Sequence, residues 1–226
     1  MVIIPAFNEA DAISNVIADI PSDLVEEVIV VSNGSTDATE ARASQAGATV
    51  LKEPRKGYGH ACLKGMAHIA AKPAEKQPEI VVFLDGDYSD HPEEMPTLTT
   101  PIFNGKWDLV IGSRALGQRE KGAMMPQQIF GNWLATTLIR LLYRTEFSDL
   151  GPFRAVKYEK LLELDMQDKT FGWTVEMQVK AAKLGFKCGE VPVTYRQRIG
   201  VSKVTGTLTG TVMAGYKILW TIFKLL

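Results

Sequence analysis

Through its first half the chain alternates short, largely apolar runs with stretches of helical periodicity. The runs MVII (1–4), EEVIVVS (26–32), ATVLK (48–52), EIVVFL (79–84) and DLVIGS (108–113) have the length and β-branched content of strands buried on both faces. Such alternation predicts an α/β, Rossmann-like domain: a mostly parallel central sheet covered by helices on both faces. Sheets of this kind bind ligands in the crevice beyond the carboxyl ends of their strands. After residue 113 the alternation stops. A loop, ALGQREKGAMMP, leads into QQIFGNWLATTLIRLLYR, which predicts an apolar helix near 127–144. GTVMAGYKILWTIFKLL predicts a second one over 210–226, with Tyr216 and Trp220 beside Lys217 and Lys224. Both fit either core helices or helices lying in a membrane interface, where aromatic and Lys-edged apolar segments collect.

The length of 226 residues suits one domain, and no repeat, low-complexity tract or Pro/Ser-rich linker divides 1–226. The formal net charge of -1 gives no whole-molecule field toward nucleic acid, so any anion site must be local. One basic cluster answers to that. RQRIGVSK, residues 196–203, holds Arg196, Arg198 and Lys203 and no carboxylate, although most such charge runs are solvated loops. Cys62 and Cys188 stand in no CxxC or Cys/His ligand pattern, which predicts a reducing compartment. No signal-peptide pattern opens the chain and no long uncharged apolar run crosses it, so the expected location is cytoplasmic, or peripheral on the cytoplasmic face of a membrane.

If function follows the strand ends, they can be taken in turn. After the first, PAFNEADAI, Pro5 ends the ladder and Asn8 is placed to cap a helix starting near Glu9. After the second, SNGSTD, Asn33-Gly34 makes a turn, Ser35 or Thr36 caps the next helix and Asp37 lies in its first turn. Plain turns explain both, although a nucleotide crevice needs such ends too. KGYGHA (56–61) has two glycines that permit close approach of backbone to a ligand. Cys62 stands where a dinucleotide fingerprint needs its third glycine, which excludes a nicotinamide cofactor. His60 and His68 have no metal-ligand spacing, and His91 is placed to cap or to support the motif before it. VVFLDGDYSDHPEE is the sharpest feature. Asp85 and Asp87, at i and i+2 of an extended chain, point the same way and repel unless a cation lies between them. Mg²⁺ or Mn²⁺, completed by water and substrate phosphates, fits such a pair.

Taken together, IIPAFNE, SNGSTD, KGYGHA, DGDYSDHP, GSR, DLGPFRA and RQRIGVSK occur in the order and roughly the spacing of family 2 glycosyltransferases of the GT-A fold. The chain most resembles the polyprenyl-phosphate sugar transferases, the dolichol-phosphate mannose synthase group, over nearly its whole length. The resemblance implies that Pro5, Ala6, Asn8 and Glu9 contact the nucleoside, with Ser32 and Asn33 near the base. It implies a metal on Asp85 and Asp87 of the Asp85-Gly86-Asp87 turn, with Ser89 joining through water, held against the diphosphate of a nucleotide-sugar. Arg114 of GSR would help to hold a phosphate, and Arg196, Arg198, Ser202 and Lys203 would close over the diphosphate and the acceptor phosphate. Glu176, in FGWTVEMQVK, matches an aromatic-x-x-Glu acceptor motif and is the candidate base, with Asp149 of SDLGPFR second and Trp173 a stacking surface. From the residues alone, Glu176 reads as a first-turn carboxylate paired with Lys180, Asp149 as a turn or cap and Trp173 as packing. The chain departs from the family where Ser32-Asn33 replaces a common Asp pair, and where Gln127 and Gln128 stand near an expected Arg.

These features predict an inverting, metal-dependent transferase moving a hexose from a UDP- or GDP-sugar to a polyprenyl (dolichyl or undecaprenyl) phosphate. A soluble or glycan hydroxyl acceptor is the alternative. A sugar nucleotidyltransferase or a noncatalytic nucleotide-binding module are readings of another class, the former disfavoured by the lack of an early Gly-rich, cationic phosphate loop.

Overall fold

The computed structural model describes residues 1–201 and 208–226, and contains one seven-stranded sheet in the order β3-β2-β1-β4-β6-β5-β7. The five expected strands are β1 (Val2–Ala6), β2 (Val28–Ser32), β3 (Thr49–Lys52), β4 (Ile80–Phe83) and β5 (Leu109–Ser113). Two more were not anticipated. β6 (Arg154–Lys157) inserts between β4 and β5, antiparallel to both, while β7 (Cys188–Pro192) runs parallel to β5 at the edge. Alternating residues of one strand feed opposite layers, as a pleated sheet requires. Ile3 joins the cluster containing Ile29, Phe83 and Trp173, whereas Val2 and Ile4 join that containing Val30, Leu84 and Leu98.

The first layer takes side chains from α3 (Tyr58–Ala70), α5 (Pro126–Tyr143), α6 (Tyr158–Glu163) and α7 (Trp173–Lys183). The second takes them from α1 (Ile13–Ala18), α2 (Thr39–Gln45) and α4 (Met95–Phe103). α8 (Leu208–Lys224) packs on α5 and α7 and sends Ile222 into the first layer. The two apolar helices expected near 127–144 and 210–226 are therefore α5 and α8. Their inner residues, Ala135, Ile139 and Ile222, are fully buried, but their outer faces expose Phe130 (60 %), Trp133 (58 %), Tyr216 (62 %) and Trp220 (51 %). None of the helices among the described residues is long and apolar enough to cross a membrane.

Candidate active site

A cavity of about 530 Å³ opens at the carboxyl ends of the strands, where the topology requires a ligand site. Pro5, Ala6, Phe7 and Glu9 from the first strand end line it, with Asn33, Lys56 and Gly57 beside them. Asn8 does not. Its backbone is left-handed, at φ 54, its amide donates to Ser35 Oγ at 3.1 Å and its Oδ1 accepts from the Thr36 amide at 2.8 Å. Asn8 thus stitches the first turn to the second and caps no helix, since α1 starts only at Ile13. The caps expected of Ser35 or Thr36 fail as well: α2 starts at Thr39, whose amide bonds Asp37 Oδ1 at 3.0 Å.

Ser32 and Asn33 part company. Ser32 is buried and donates to Glu40 Oε1 at 2.9 Å, away from the cavity. Asn33 lines the cavity while its amide group holds the loop below: Nδ2 donates to the carbonyls of Glu53 (3.1 Å) and Arg55 (2.7 Å), and Oδ1 accepts from Gly57 (2.7 Å). Arg55, bonded to Glu53, draws that carboxyl down to about 2 and so keeps the loop's ion pair intact across ordinary pH. The glycines of KGYGHA serve the protein's own backbone. A Cβ at Gly57 or Gly59 would fall 2.1 Å from the Lys169 carbonyl oxygen or 2.0 Å from that of Asp168. The close approach expected toward a ligand is made instead to the 168–170 segment.

Asp85, Gly86 and Asp87 form the floor. Asp87 Oδ1 accepts from the amide (2.9 Å) and hydroxyl of Ser89, and Oδ2 is ion-paired with Arg198. Asp85 Oδ1 is buried with no hydrogen-bond partner, and burial, with Asp87 beside it, lifts its pKa to about 6. A third carboxyl, Asp90, is buried and also raised, first by desolvation and then by Asp85 and Asp87. Burial and mutual repulsion thus favour the neutral forms of Asp85 and Asp90 unless a cation joins them.

Arg114 and Asp149 form one unit. Arg114 donates from Nε (2.8 Å) and Nη2 (2.7 Å) to the two Asp149 oxygens, its amide adds a third bond at 2.7 Å, and its guanidinium lies 5.1 Å from the Tyr195 ring centroid. Arg114 and Tyr195 line the cavity, and burial pushes the Tyr195 hydroxyl up to about 12. Asp149 instead borders a second hollow, behind Arg114. Its oxygens are engaged by Arg114, so it positions that arginine and is not placed as a base.

Glu176 and Trp173 correct the resemblance. The Glu176 carboxylate accepts from the amides of Gln167 (3.0 Å) and Asp168 (2.7 Å), pairs with Lys180 at 2.9 Å and does not reach the cavity. It anchors the loop that carries Phe171 to the cavity wall. Trp173 is buried edge-on against Phe83, with centroids 5.9 Å apart, and offers no face to a ligand. Glu176→Gln should consequently lower stability by about 1–3 kcal/mol through the mispaired amides while kcat stays within a few-fold. Chemical denaturation and initial rates on the same preparations check this, and a thousand-fold loss of kcat in a stably folded variant would restore Glu176 as the base.

The two arginines of the basic cluster diverge. Arg196 lies 3.4 Å over the Tyr88 ring, donates to the carbonyls of Tyr88 (2.7 Å) and Asp90 (3.0 Å), and does not line the cavity. It fastens the segment to the DGD turn, and only Arg198 reaches in. Ser202 and Lys203 lie outside the described residues. Several cavity residues escaped the sequence reading, among them Tyr195, Phe171 and Tyr58, which lies beside Asp85, and Ala214 and Ile218, which together with Gln128 bring α5 and α8 to the cavity wall. Arg154 is the hidden organiser. Wholly buried, it donates to the carbonyls of Leu150, Gly151 and Thr174, and burial takes its pKa down to about 10. A lone cation in the apolar run FRAV was the available signal.

The residues fit a divalent ion. An all-oxygen pair with one buried, unpartnered oxygen suits Mg²⁺ or Mn²⁺, which are held by one or two carboxylates and completed by water and phosphate. Among the described residues no set of three or more His, Cys, Asp or Glu would hold a metal by itself, so water or ligand oxygens would complete the shell.

Residues 1–164 match the family model described as Glycosyl transferase family 2. An uncharacterized glycosyltransferase of Mycobacterium tuberculosis is 34% identical over 215 residues, covering 94% of this chain and 93% of that one. The undecaprenyl-phosphate mannosyltransferase of Micrococcus luteus is 28% identical, covering 93% and 89%. Among solved structures, glucosyl-3-phosphoglycerate synthase from Mycobacterium tuberculosis, in complex with Mn²⁺, UDP-glucose and phosphoglyceric acid, superposes with a TM-score of 0.74. It is 25% identical, with 99% of this chain and 78% of that one covered. The GT-A architecture implied by the resemblance therefore holds.

Proposed function

This chain belongs to glycosyl transferase family 2, and from that membership we propose that it transfers a hexose, with inversion, from a UDP- or GDP-sugar to a polyprenyl phosphate at a membrane surface, with Mg²⁺ or Mn²⁺ as cofactor. Asp85 and Asp87 would hold the cation, which supplies positive charge against the donor diphosphate. Glu9, Asn33 and the Pro5–Phe7 turn would receive the nucleoside. Negative charge would grow on the departing diphosphate in an oxocarbenium-like transition state, and Arg198, paired with Asp87 in the cavity, would be a preplaced cation for it. Arg114, fixed by Asp149 and Tyr195, would orient a phosphate without having to reorganise. Phe171, Leu150 and Ile218 would exclude water. A phosphate acceptor is already anionic and needs no strong base, which suits a cavity where neither Glu176 nor Asp149 is free to take a proton.

One observation carries the lipid acceptor: α5 and α8 line the cavity with Gln128, Ala214 and Ile218 and expose Phe130, Trp133, Tyr216 and Trp220 on their outer faces. An apolar chain emerging from the cavity would run along them, and the exposed aromatics suit a membrane interface. The test is transfer of radiolabelled sugar from UDP- and GDP-donors to undecaprenyl phosphate in vesicles, with product extracted into organic solvent. The expected product partitions to the organic phase, and replacing the four aromatics by Ser should weaken vesicle binding about 100-fold or more. Product confined to water, made from an added small phosphate such as phosphoglyceric acid, would favour the acceptor named for the solved relative.

A further inference from the structure

Arg198 is where the positive charge of a metal would act. Its Nη2 is paired with Asp87 Oδ2 and lies 3.9 Å from Glu9 Oε1, and its Nε is buried without a hydrogen-bond partner. Ser89 occupies the other Asp87 oxygen, so the guanidinium holds the oxygen that a cation would need. The backbone beneath it is pinned separately: Arg196 N donates to Ser89 O at 2.9 Å, Gln197 N to Glu120 Oε2 at 2.7 Å and Ile199 N to Asp87 O at 2.9 Å. The Arg198 side chain, about a third exposed, can leave Asp87 without the segment moving.

We propose that Arg198 is a built-in counter-cation, which keeps a lone divalent ion off Asp87 and releases the carboxylate when a nucleotide diphosphate arrives to take its guanidinium. A divalent ion and a guanidinium on one carboxylate repel each other, so the metal alone competes poorly. A diphosphate offers the guanidinium the bidentate acceptor it prefers and brings charge to complete the metal shell. Metal and donor then bind as a pair, each raising the other's affinity by the same factor. The inference rests on the metal-dependent reading above.

Binding of Mn²⁺, read as loss of the free-ion paramagnetic resonance signal, tests it without turnover, in wild type, Arg198→Gln and Arg198→Lys, alone and with UDP or GDP. Wild type should bind Mn²⁺ weakly alone and at least about tenfold more tightly with nucleotide. Arg198→Gln should bind Mn²⁺ alone about tenfold more tightly than wild type and lose most of the nucleotide-induced gain, the scale of one charge-assisted bond. Arg198→Lys, which keeps the charge but not the fork, should bind Mn²⁺ alone as weakly as wild type and gain less than wild type from nucleotide. Mn²⁺ affinity in Arg198→Gln equal to or below that of wild type overturns the proposal, as does an Arg198→Lys variant that binds Mn²⁺ alone as tightly as Arg198→Gln. Nucleotide-dependent Mn²⁺ binding in wild type would leave the metal reading standing in either case. Absence of Mn²⁺ binding in every protein with either nucleotide overturns both.

Discussion

Asp87→Asn should lower kcat/KM for sugar transfer by about 10²–10³-fold, the scale on which a charge-stabilising contact contributes to catalysis. The substitution keeps the shape of the side chain, and its Oδ1 can still accept from Ser89. The second position then presents an amide donor to Arg198, so the site loses the negative charge on which both the guanidinium and a divalent ion depend. Asp87 is almost fully buried and its backbone carbonyl receives the Ile199 amide, so the turn itself should persist and folding should be nearly unchanged. Initial rates against Mn²⁺ and Mg²⁺ concentration, with circular dichroism on the same sample, measure both halves. Full activity with unaltered metal dependence would remove the DGD turn from the chemistry.

The parts of the site that sequence made visible are those in which local spacing and topology agree. A strand that ends in Asp85-Gly86-Asp87 has to deliver both residues to the crevice, because the strand itself is pinned by apolar packing on both faces. Glu176 and Trp173 mislead because a motif in sequence does not say which side of a helix faces the cavity. α7 turns both inward, onto Phe83 and the 167–168 amides, and it is Thr174 that reaches the wall. Arg196 and Arg198 would share a face in an extended chain, yet the two side chains separate, Arg196 to the Tyr88 ring and the Tyr88 and Asp90 carbonyls and Arg198 to Asp87. The two unforeseen strands were hidden by composition. β7 reads CGEVP, with Gly, Glu and Pro against strand propensity, and β6 is four residues opened by a buried cation.

Asp149→Ala should be the most destabilising single change at the site, by about 3–5 kcal/mol, because it leaves the buried Arg114 guanidinium without its partner. Burial alone would raise the Asp149 carboxyl, but the Arg114 charge and hydrogen bonds outweigh it and hold the carboxyl below its usual value. Its contribution is therefore fully present above the unfolded carboxylate pKa of about 4 and is lost as pH falls through the lower folded value. Denaturant titrations of wild type and variant should show their difference at full size near pH 7 and shrinking at the acid end. A gap that persists undiminished through that range would assign the stability to something other than this ion pair. The double variant Arg114→Met with Asp149→Leu separates fold from function. It removes both charges and fills the volume, so it should recover much of the lost stability. It should not recover transfer, because the preplaced cation that orients a phosphate in the cavity would be gone.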